Sequence, residues 1–326
     1  MKDAGSETAL GGPALTVEDR ALLHLIAALR EAGYGFTTPT PATHARVNAR
    51  PANAQARDLR GVFGWSRPFA PALLPASLLD LMRRADVLEQ DGALLRSRVR
   101  VSSLDGGLFV HSAYPTVAAD AVFFGPDTYR FALAIRSALR DLRTPVRRAV
   151  DIGCGAGPGA ILVAKALPQA DVVMVDINDA ALRYSAINAA AAGAPNATAC
   201  RSDLLSNVNG AFDLILANPP YLNDPLARAY RHGGGSFGAG LSLKILDAAL
   251  DRLNPGGALV LYTGSAIVDG RDLFFHEAMD RLRGGHVGWT YRELDPDVFG
   301  EELETEPYRD ADRIAAVLLT VIKEDA

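Results

Sequence analysis

The stretch AVDIGCGAGPG, residues 149–159, decides the predicted fold. Its first four residues have the composition of a short buried strand, which runs directly into a glycine-rich loop. Pro158 suits the first turn of a helix, and the apolar run at residues 160–167 supplies the body of that helix. A strand, a loop and a helix in this order predict the first unit of a doubly wound α/β domain, in which the glycines let the backbone approach a ligand closely.

A second apolar run, residues 172–176, predicts the next strand and ends in Asp176. An acid at the carboxyl end of this strand can accept hydrogen bonds from both hydroxyls of a ribose. Because Asn178 or Asp179 can cap the following helix, we favour the ligand role for Asp176 over a capping role. Asp203 follows the third predicted strand at the same edge of the sheet, either in contact with an adenine amino group or without a ligand.

The most distinctive turn of the chain is Asn218-Pro219-Pro220-Tyr221, which follows a buried strand at residues 212–217. The two prolines fix φ and remove two backbone donors, so the carbonyls there point outward with no N–H beside them. The Asn218 side chain adds another carbonyl oxygen, and the Tyr221 ring can stack on a flat group. Two acceptors and an aromatic wall on a stiff turn suit a planar nitrogen that carries hydrogens.

The remaining apolar segments continue the alternation of strands and helices. Helices are predicted at residues 241–253 and 273–282, a strand at 258–262, and an antiparallel pair of strands at 287–291 and 314–322. This order predicts a doubly wound sheet with its ligand crevice at the carboxyl ends of the strands.

Taken together, residues 151–157, Asp176 and residues 218–221 resemble the class I S-adenosylmethionine-dependent methyltransferases of the Asn-Pro-Pro-Tyr type. That group includes the release-factor glutamine methyltransferases and the methyltransferases of DNA adenine and rRNA guanine amino groups. The resemblance runs from about Phe123 to the C-terminus, and with its N-terminal part the chain is similar to a bacterial branch of the methyltransferase small domain proteins. It implies a doubly wound, seven-stranded sheet and S-adenosyl-L-methionine as the cofactor.

The resemblance also implies a set of site residues. In catalysis, the Asn218 Oδ1 and the Pro219 carbonyl accept the two N–H hydrogens of the methyl acceptor, and Tyr221 stacks on its planar group. The predicted cofactor contacts belong to the glycine-rich loop, the strand ends and a segment before the core. They are Thr128, Asp151, Gly153, Cys154, Gly155, Gly157, Asp176, Ile177, Asp203 and Asn218. Methyl displacement needs no metal, and no cluster of His, Cys and Asp has metal-ligand spacing.

The chain divides into three predicted parts. Residues 1–13 are predicted as a flexible tail, residues 14–120 as an accessory domain of helices plus a short hairpin, and residues 121–326 as the methyltransferase domain. In the accessory domain, residues 94–101 alternate apolar and basic side chains and predict an edge strand. Its arginines either face nucleic-acid phosphates or form a solvated face that blocks aggregation, and we favour the solvated face.

The formal charge of −5 over 326 residues gives no overall reason to expect nucleic acid or an anionic membrane as a partner. Residues 1–149 carry 19 Lys and Arg against 14 Asp and Glu, whereas residues 150–326 carry 14 against 24. Residues 293–306 hold seven acidic side chains at the predicted active-site edge. We expect this acidic segment to attract a cationic substrate and to repel a nucleic-acid backbone.

These observations rank the functions. An amide or guanidino nitrogen of a protein side chain or a small molecule, with a cationic substrate as one option, comes first as the methyl acceptor. A nucleic-acid amino group comes second, and a regulator that binds the cofactor without turnover third. A nicotinamide oxidoreductase, suggested by the G-x-G-x-x-A match at Gly155, Gly157 and Ala160, comes last.

Cysteine content and hydropathy favour a cytoplasmic location. The two cysteines provide no disulfide framework, and no apolar run reaches the length of a membrane span. The start of the chain lacks the basic and then apolar pattern of a signal peptide. We therefore expect a cytoplasmic protein without a membrane partner.

Overall fold

A computed structural model describes residues 15–224 and 230–324, so the predicted tail at residues 1–13 lies outside the described residues. The N-terminal part consists of four helices followed by two antiparallel hairpins rather than the one that was expected. The helices are α1 (Val17–Glu31), α2 (Pro41–Asn48), α3 (Leu59–Phe63) and α4 (Ala76–Arg84). The strands are β1 (Leu88–Asp91), β2 (Leu94–Ser97), β3 (Val99–Leu104) and β4 (Gly107–Ser112).

The first helix shows how local sequence sets these elements. Thr16 Oγ1 accepts a hydrogen bond from the Asp19 N–H at 3.2 Å, and the Asp19 carboxylate accepts one from the Thr16 N–H at 3.0 Å. This reciprocal capping box begins the helix. The apolar stripe of α1, which includes Leu22 and Ile26, is fully buried in the core of the N-terminal part.

The predicted edge strand at residues 94–101 is interrupted in the structure, so that prediction is wrong. The Ser97 Oγ donates to the Val99 carbonyl and accepts from the Val99 N–H, and the chain turns between β2 and β3. This turn separates the arginines that the prediction put in one row. Arg96 is partly exposed, whereas Arg100 is only 4% exposed. The arginines therefore do not form a single face toward phosphates.

The C-terminal part alternates strands and helices as predicted. Its helices are α5 (Pro126–Asp141), α6 (Pro158–Ala166), α7 (Asp179–Ala192), α8 (Gly240–Arg252) and α9 (Leu273–Leu282). Its strands are β5 (Arg148–Ile152), β6 (Asp171–Asp176), β7 (Ala197–Arg201), β8 (Phe212–Ala217), β9 (Leu253–Val268), β10 (Arg271–Asp272), β11 (Val287–Asp295) and β12 (Arg313–Lys323).

Seven of these strands form one sheet in the order β11-β12-β9-β8-β5-β6-β7, and the short β10 pairs with β9. The neighbouring pairs β9–β8, β8–β5, β5–β6 and β6–β7 are parallel. Strand β12 is antiparallel to both β9 and β11. In β8, Leu214 and Leu216 pack into the core on one face of the sheet, and Ile215 and Ala217 into the core on the other. Both faces are covered, which confirms the doubly wound, seven-stranded fold.

The two parts of the chain pack against each other through α7. Asp19 of α1 pairs with Arg183 of α7 at 2.6 Å, and Ile187 of α7 is fully buried in the core of the N-terminal part. The exact boundary between the domains therefore stays a prediction. Of the helices in the described ranges, none combines the length and the apolar character needed to cross a membrane.

Candidate active site

A cavity of about 370 Å³ lies at the carboxyl edge of the sheet. Its walls come from the loops that follow β5, β6, β7 and β8, from the first turn of α5, and from Phe299 in the segment between β11 and β12. The chain continues from β5 to β6 on one side and from β8 to β9 on the other, so the cavity sits at the topological switch point of the sheet. Its volume is that of a small-molecule site.

The glycine-rich loop after β5 forms the floor of this cavity. The N–H groups of Gly153 and Cys154 donate to the Val175 carbonyl at 2.9 and 3.0 Å and tie the loop to β6. Gly153 and Gly155 have φ of +69° and +54°, and a Cβ on Gly153 would meet no atom within 4 Å. The loop therefore presents bare backbone to open space. The Cys154 thiol is buried, which raises its pKa well above the usual range.

Two predicted cofactor residues hold the loop to the rest of the fold. The Asp151 carboxylate is 2% exposed and accepts a hydrogen bond from the Ala160 N–H at 2.9 Å, and burial raises the pKa of Asp151 to about 7. Gly157 does not line the cavity. A Cβ on Gly157 would lie 2.9 Å from the Ser185 Cβ and 3.0 Å from the Met174 sulfur, so the glycine at this position is required by packing.

Asp176 ends β6 at the edge of the cavity. One carboxylate oxygen accepts from the Gly155 N–H at 3.0 Å and the other from the Asn178 N–H at 2.9 Å, so each oxygen keeps a lone pair for a ribose hydroxyl. The Asn178 side chain caps α7, which leaves Asp176 free of that role. Ile177, with 52% of its surface exposed, and Asp203 line the same wall.

The Asn-Pro-Pro-Tyr turn lies on the opposite side of the cavity, directly after β8. Within the described part of the chain, no hydrogen bond uses the Asn218 side chain or the Pro219 carbonyl oxygen. Both residues line the cavity, so two acceptors without a partner among the described residues belong to its wall. Strand β8 pairs with β5, so this turn and the glycine-rich loop are adjacent.

Tyr221 is held by a buried carboxylate from α5. The Tyr221 hydroxyl donates to one oxygen of Asp127 at 2.7 Å, and the Tyr262 hydroxyl donates to the other at 2.7 Å. Arg130 also donates to Asp127, at 3.1 Å. Burial and the Asp127 charge raise the pKa of Tyr221 well above its usual range, so its hydroxyl remains a donor. The Tyr221 ring is 6% exposed at the cavity wall.

The segment between β11 and β12 closes this side of the cavity. The Phe299 ring lies edge-on to Tyr221 with centroids 5.8 Å apart. The Tyr308 hydroxyl accepts from the Asn223 N–H at 2.9 Å and donates to the Phe237 carbonyl at 3.2 Å. Apolar and aromatic side chains of this segment therefore support the residues that follow the Asn-Pro-Pro-Tyr turn.

Four of the seven acidic side chains of residues 293–306, which span the end of β11 and part of the segment after it, are paired within the chain. Their partners are arginines, in the pairs Asp295–Arg130 at 2.6 Å, Glu293–Arg313 at 3.0 Å, Glu306–Arg309 at 2.7 Å and Glu302–Arg231. An acid that is neutralised by a neighbouring guanidinium attracts a cationic ligand only weakly. These ion pairs weaken the expectation that residues 293–306 attract a cationic substrate, because arginines of the chain offset much of the negative charge of the segment.

The structure adds contacts that sequence reasoning missed. The sequence patterns do not identify Asp127, Tyr262 or Phe299 as site residues. Thr128 was predicted to contact the cofactor; it lines the cavity, and its Oγ1 accepts from the Gly125 N–H at 3.3 Å. No sequence signal links Asp127 to the Asn-Pro-Pro-Tyr turn, because the contact forms only when the sheet brings β8 and β9 beside α5.

Residues 133–281 match the family model of the methyltransferase small domain. The ribosomal protein uL3 glutamine methyltransferase of Bordetella pertussis is 38% identical over 131 residues, covering 36% of this chain and 44% of that protein. The release factor glutamine methyltransferase of Deinococcus radiodurans is 30% identical over 178 residues, covering 51% and 62%. The ribosomal RNA small subunit methyltransferase C of Pasteurella multocida is 35% identical over 149 residues, covering 45% and 40%.

The strand order, together with the match of residues 133–281 to the methyltransferase small domain model, gives the C-terminal part the fold of a class I methyltransferase. The chain spans about half the length of the curated relatives it matches. The site fits S-adenosylmethionine, the cofactor of this class. Bare loop backbone at Gly153 and Gly155, the free lone pairs of Asp176 and the exposed apolar surface of Ile177 suit its amino-acid, ribose and adenine parts.

Proposed function

We propose that this chain transfers a methyl group from S-adenosylmethionine to a planar amide nitrogen of a protein side chain. One observation carries the proposal. The Asn218 side chain and the Pro219 carbonyl are acceptors without partners, and they lie beside the glycine-rich loop in one cavity. A primary amide has two N–H donors in one plane, and this pair of acceptors matches them.

The cofactor, when bound, supplies an electrophilic methyl group, and the residues of the chain orient the acceptor toward it. Asn218 Oδ1 and the Pro219 carbonyl accept hydrogen bonds from the two N–H groups of the acceptor amide. These two bonds turn the lone pair of the amide nitrogen toward the methyl group. They also stabilise the positive charge that develops on the nitrogen, and such preorganised acceptors act most strongly where water is excluded. Tyr221, oriented by Asp127, stacks on the planar group and excludes water from it.

Two of the three relatives named above are glutamine methyltransferases, which favours an amide over other planar nitrogens. The similarity to ribosomal RNA small subunit methyltransferase C supports a second candidate, an amino group of RNA. The free acceptors of the turn argue against a regulator without turnover. A small-molecule acceptor, a cationic acceptor and a cytoplasmic location remain predictions.

Substitution of Asn218 by alanine tests the proposal. We expect Asn218→Ala to lower the methyl-transfer rate about 100- to 1,000-fold, because one stabilising acceptor is lost. Its affinity for S-adenosylmethionine, measured by calorimetric titration, should stay unchanged. Asn223→Ala is the matched control, since Asn223 follows the turn without lining the cavity.

Mass analysis of a glutamine peptide, an RNA and free arginine identifies the acceptor. The expected result is a gain of one methyl group on the peptide. A gain on RNA alone would move the second candidate to first place.

Equal loss of rate and of cofactor affinity in Asn218→Ala would remove the catalytic role of that residue.

A further inference from the structure

A small bay in the N-terminal part adjoins the active-site cavity. Its lining residues are Pro39, Pro41, His44, Arg100, His111, Tyr114, Thr116, Phe123 and Phe124. Pro41, Tyr114, Thr116 and Phe123 also line the active-site cavity, so the two spaces share a wall. The bay has a volume of about 10 Å³, the size of one water molecule or one oxygen atom of a larger group.

Arg100 brings a charge into this bay that the described residues do not balance. Arg100 is only 4% exposed, and its Nε and Nη2 atoms have no hydrogen-bond partner. No carboxylate in residues 15–224 or 230–324 forms an ion pair with it, and its Cζ lies 5.8 Å from the centre of the Phe36 ring. A buried charge without a partner is strongly unfavourable, so its presence calls for a ligand.

The two histidines of the bay do not supply the missing charge. His44 Nε2 lies 2.9 Å from the Trp65 carbonyl and must donate to it, which leaves His44 Nδ1 as an acceptor without a partner. Burial, with a smaller effect of Arg100, lowers the pKa of His44 to about 4 and that of His111 well below its usual range. Both rings are neutral, and Arg100, whose pKa burial lowers to about 10, stays charged at neutral pH.

We propose that this bay is a subsite for a carboxylate carried by the methyl acceptor, with Arg100 as its charged donor. The inference rests on the proposed function, since it concerns the acceptor of the same cavity. The planar guanidinium of Arg100 lines the bay and can donate to a carboxylate oxygen that enters it. A bay of this size admits a single oxygen atom, so the rest of the ligand lies in the adjoining active-site cavity.

This subsite reverses the charge expected of the substrate. The acidic segment at residues 293–306 is paired with arginines of the chain, whereas the orphaned charge beside the cavity is positive. The acceptor is therefore a peptide or protein segment that combines an amide with a nearby carboxylate, from an acidic side chain or a chain end.

Thermal unfolding of the full chain tests the subsite without any turnover. Sodium acetate is the probe, with sodium chloride at equal ionic strength as the reference. At ten times its dissociation constant, acetate should raise the Tm of the wild type by about 2 °C, because it binds only the folded state. Arg98→Met, which removes a half-exposed arginine two residues away, should respond like the wild type.

Arg100→Met is the decisive variant. We expect it to lose the acetate response and to unfold in chloride at or above the wild-type temperature, because an unpaired buried charge has been removed. Absence of an acetate response in the wild type, an undiminished response in Arg100→Met, or an equal response to inorganic phosphate would each overturn the proposal. Lower stability of Arg100→Met without any acetate response would assign Arg100 a structural role and the bay a water molecule.

Titration with S-adenosylmethionine separates this test from that of the proposed function. Arg100→Met should keep wild-type affinity for the cofactor, since Arg100 does not line the cofactor cavity. Failure of the wild type to bind S-adenosylmethionine would remove the proposed function while the acetate response stood. A normal cofactor affinity without an acetate response would remove the subsite alone.

Discussion

Tyr221 illustrates how one side chain connects the Asn-Pro-Pro-Tyr turn to the interior of the fold. Its hydroxyl and that of Tyr262 donate to the two oxygens of the Asp127 carboxylate, which is itself only 7% exposed. Without these donors the carboxylate would be buried with Arg130 as its only side-chain donor. The orientation of the Tyr221 ring is thus set by a residue that makes no part of the Asn-Pro-Pro-Tyr motif.

Comparison of Tyr221→Phe with Tyr262→Phe separates positioning from stability. Each change removes one hydrogen bond to Asp127, so both variants should lose about 1–3 kcal/mol of unfolding free energy. Only Tyr221→Phe frees a ring of the catalytic turn, and we expect it alone to lower kcat, about tenfold. Chemical unfolding and steady-state kinetics give both quantities. Equal kcat values in the two variants would contradict the positioning role.

Asp151 provides a prediction on pH. Burial raises its pKa to about 7 in the folded state, from an ordinary value of 3.8. Between these values the folded protein holds a proton that the unfolded chain has released, so the free energy of unfolding falls as pH rises from about 4 to about 7. Unfolding of the wild type and of Asp151→Asn should differ by a pH-dependent amount on the order of 3 kcal/mol over this range.

Asp213 supplies a control of opposite sign. Despite partial burial, hydrogen bonds from Asn254 and from the N–H groups of Arg147 and Arg148 lower its pKa. Its contribution is present at neutral pH and is lost as pH falls through the lowered pKa. Asp213→Asn should therefore change the slope of stability with pH below about pH 4 and leave the slope between about pH 4 and pH 7 unchanged. For Asp151, identical pH profiles of the wild type and of Asp151→Asn would refute the raised pKa of that carboxyl group.

At the scale of elements, the glycine-rich loop works through its backbone. Gly153 of this loop and Gly193 at the end of α7 have nearly the same conformation, with φ of +69° and +66°. A Cβ at either position would meet no atom within 4 Å. The two glycines differ in their relation to the active-site cavity: Gly153 lines it and Gly193 does not.

This pair allows a matched test of the cofactor loop. Gly153→Ala and Gly193→Ala should each lose about 1–2 kcal/mol of unfolding free energy, because a Cβ is strained in the left-handed region. Only Gly153→Ala should also weaken S-adenosylmethionine binding, because the alanine Cβ would occupy the space in which the cofactor approaches the loop backbone. Calorimetric titration measures the affinity. Unchanged affinity in Gly153→Ala would exclude a close approach of the cofactor to this residue.

Across the whole molecule, Asn188 joins the N-terminal part to the cofactor loop. Its fully buried side chain accepts from the Val110 N–H at 2.8 Å and donates to the Val110 carbonyl at 3.0 Å. It also donates to the Ala156 carbonyl at 2.8 Å, within the glycine-rich loop. The accessory strand β4 and the cofactor site are therefore connected through a single amide of α7.

Asn188→Ala tests this connection. Loss of the amide leaves backbone groups of Val110 and Ala156 buried without partners, so unfolding free energy should fall by about 2–4 kcal/mol and cofactor affinity should weaken. Asn196→Ala is the control, because Asn196 also donates to three carbonyls but within the methyltransferase part alone. It should lose stability while binding the cofactor normally. Urea unfolding and calorimetric titration supply the data.

The sequence alone determined the methyltransferase fold and the composition of its two main loops. Strands that are apolar on both faces, glycines after β5 and prolines after β8 are local features, because each follows from neighbours in the chain. The position of Asp176 at a strand end and the cap of α7 by Asn178 follow for the same reason. These predictions needed no knowledge of long-range contacts.

Only the tertiary structure decided which distant side chains meet. Asp127 reaches Tyr221 across 94 positions of the chain, and the acidic segment meets its arginines only where β11 and β12 join the sheet. The alternation at residues 94–101 looked like a single solvated strand, but a Ser97 hydrogen bond turned the chain and buried Arg100. Such contacts depend on packing between elements, and packing is set by the whole core rather than by local periodicity.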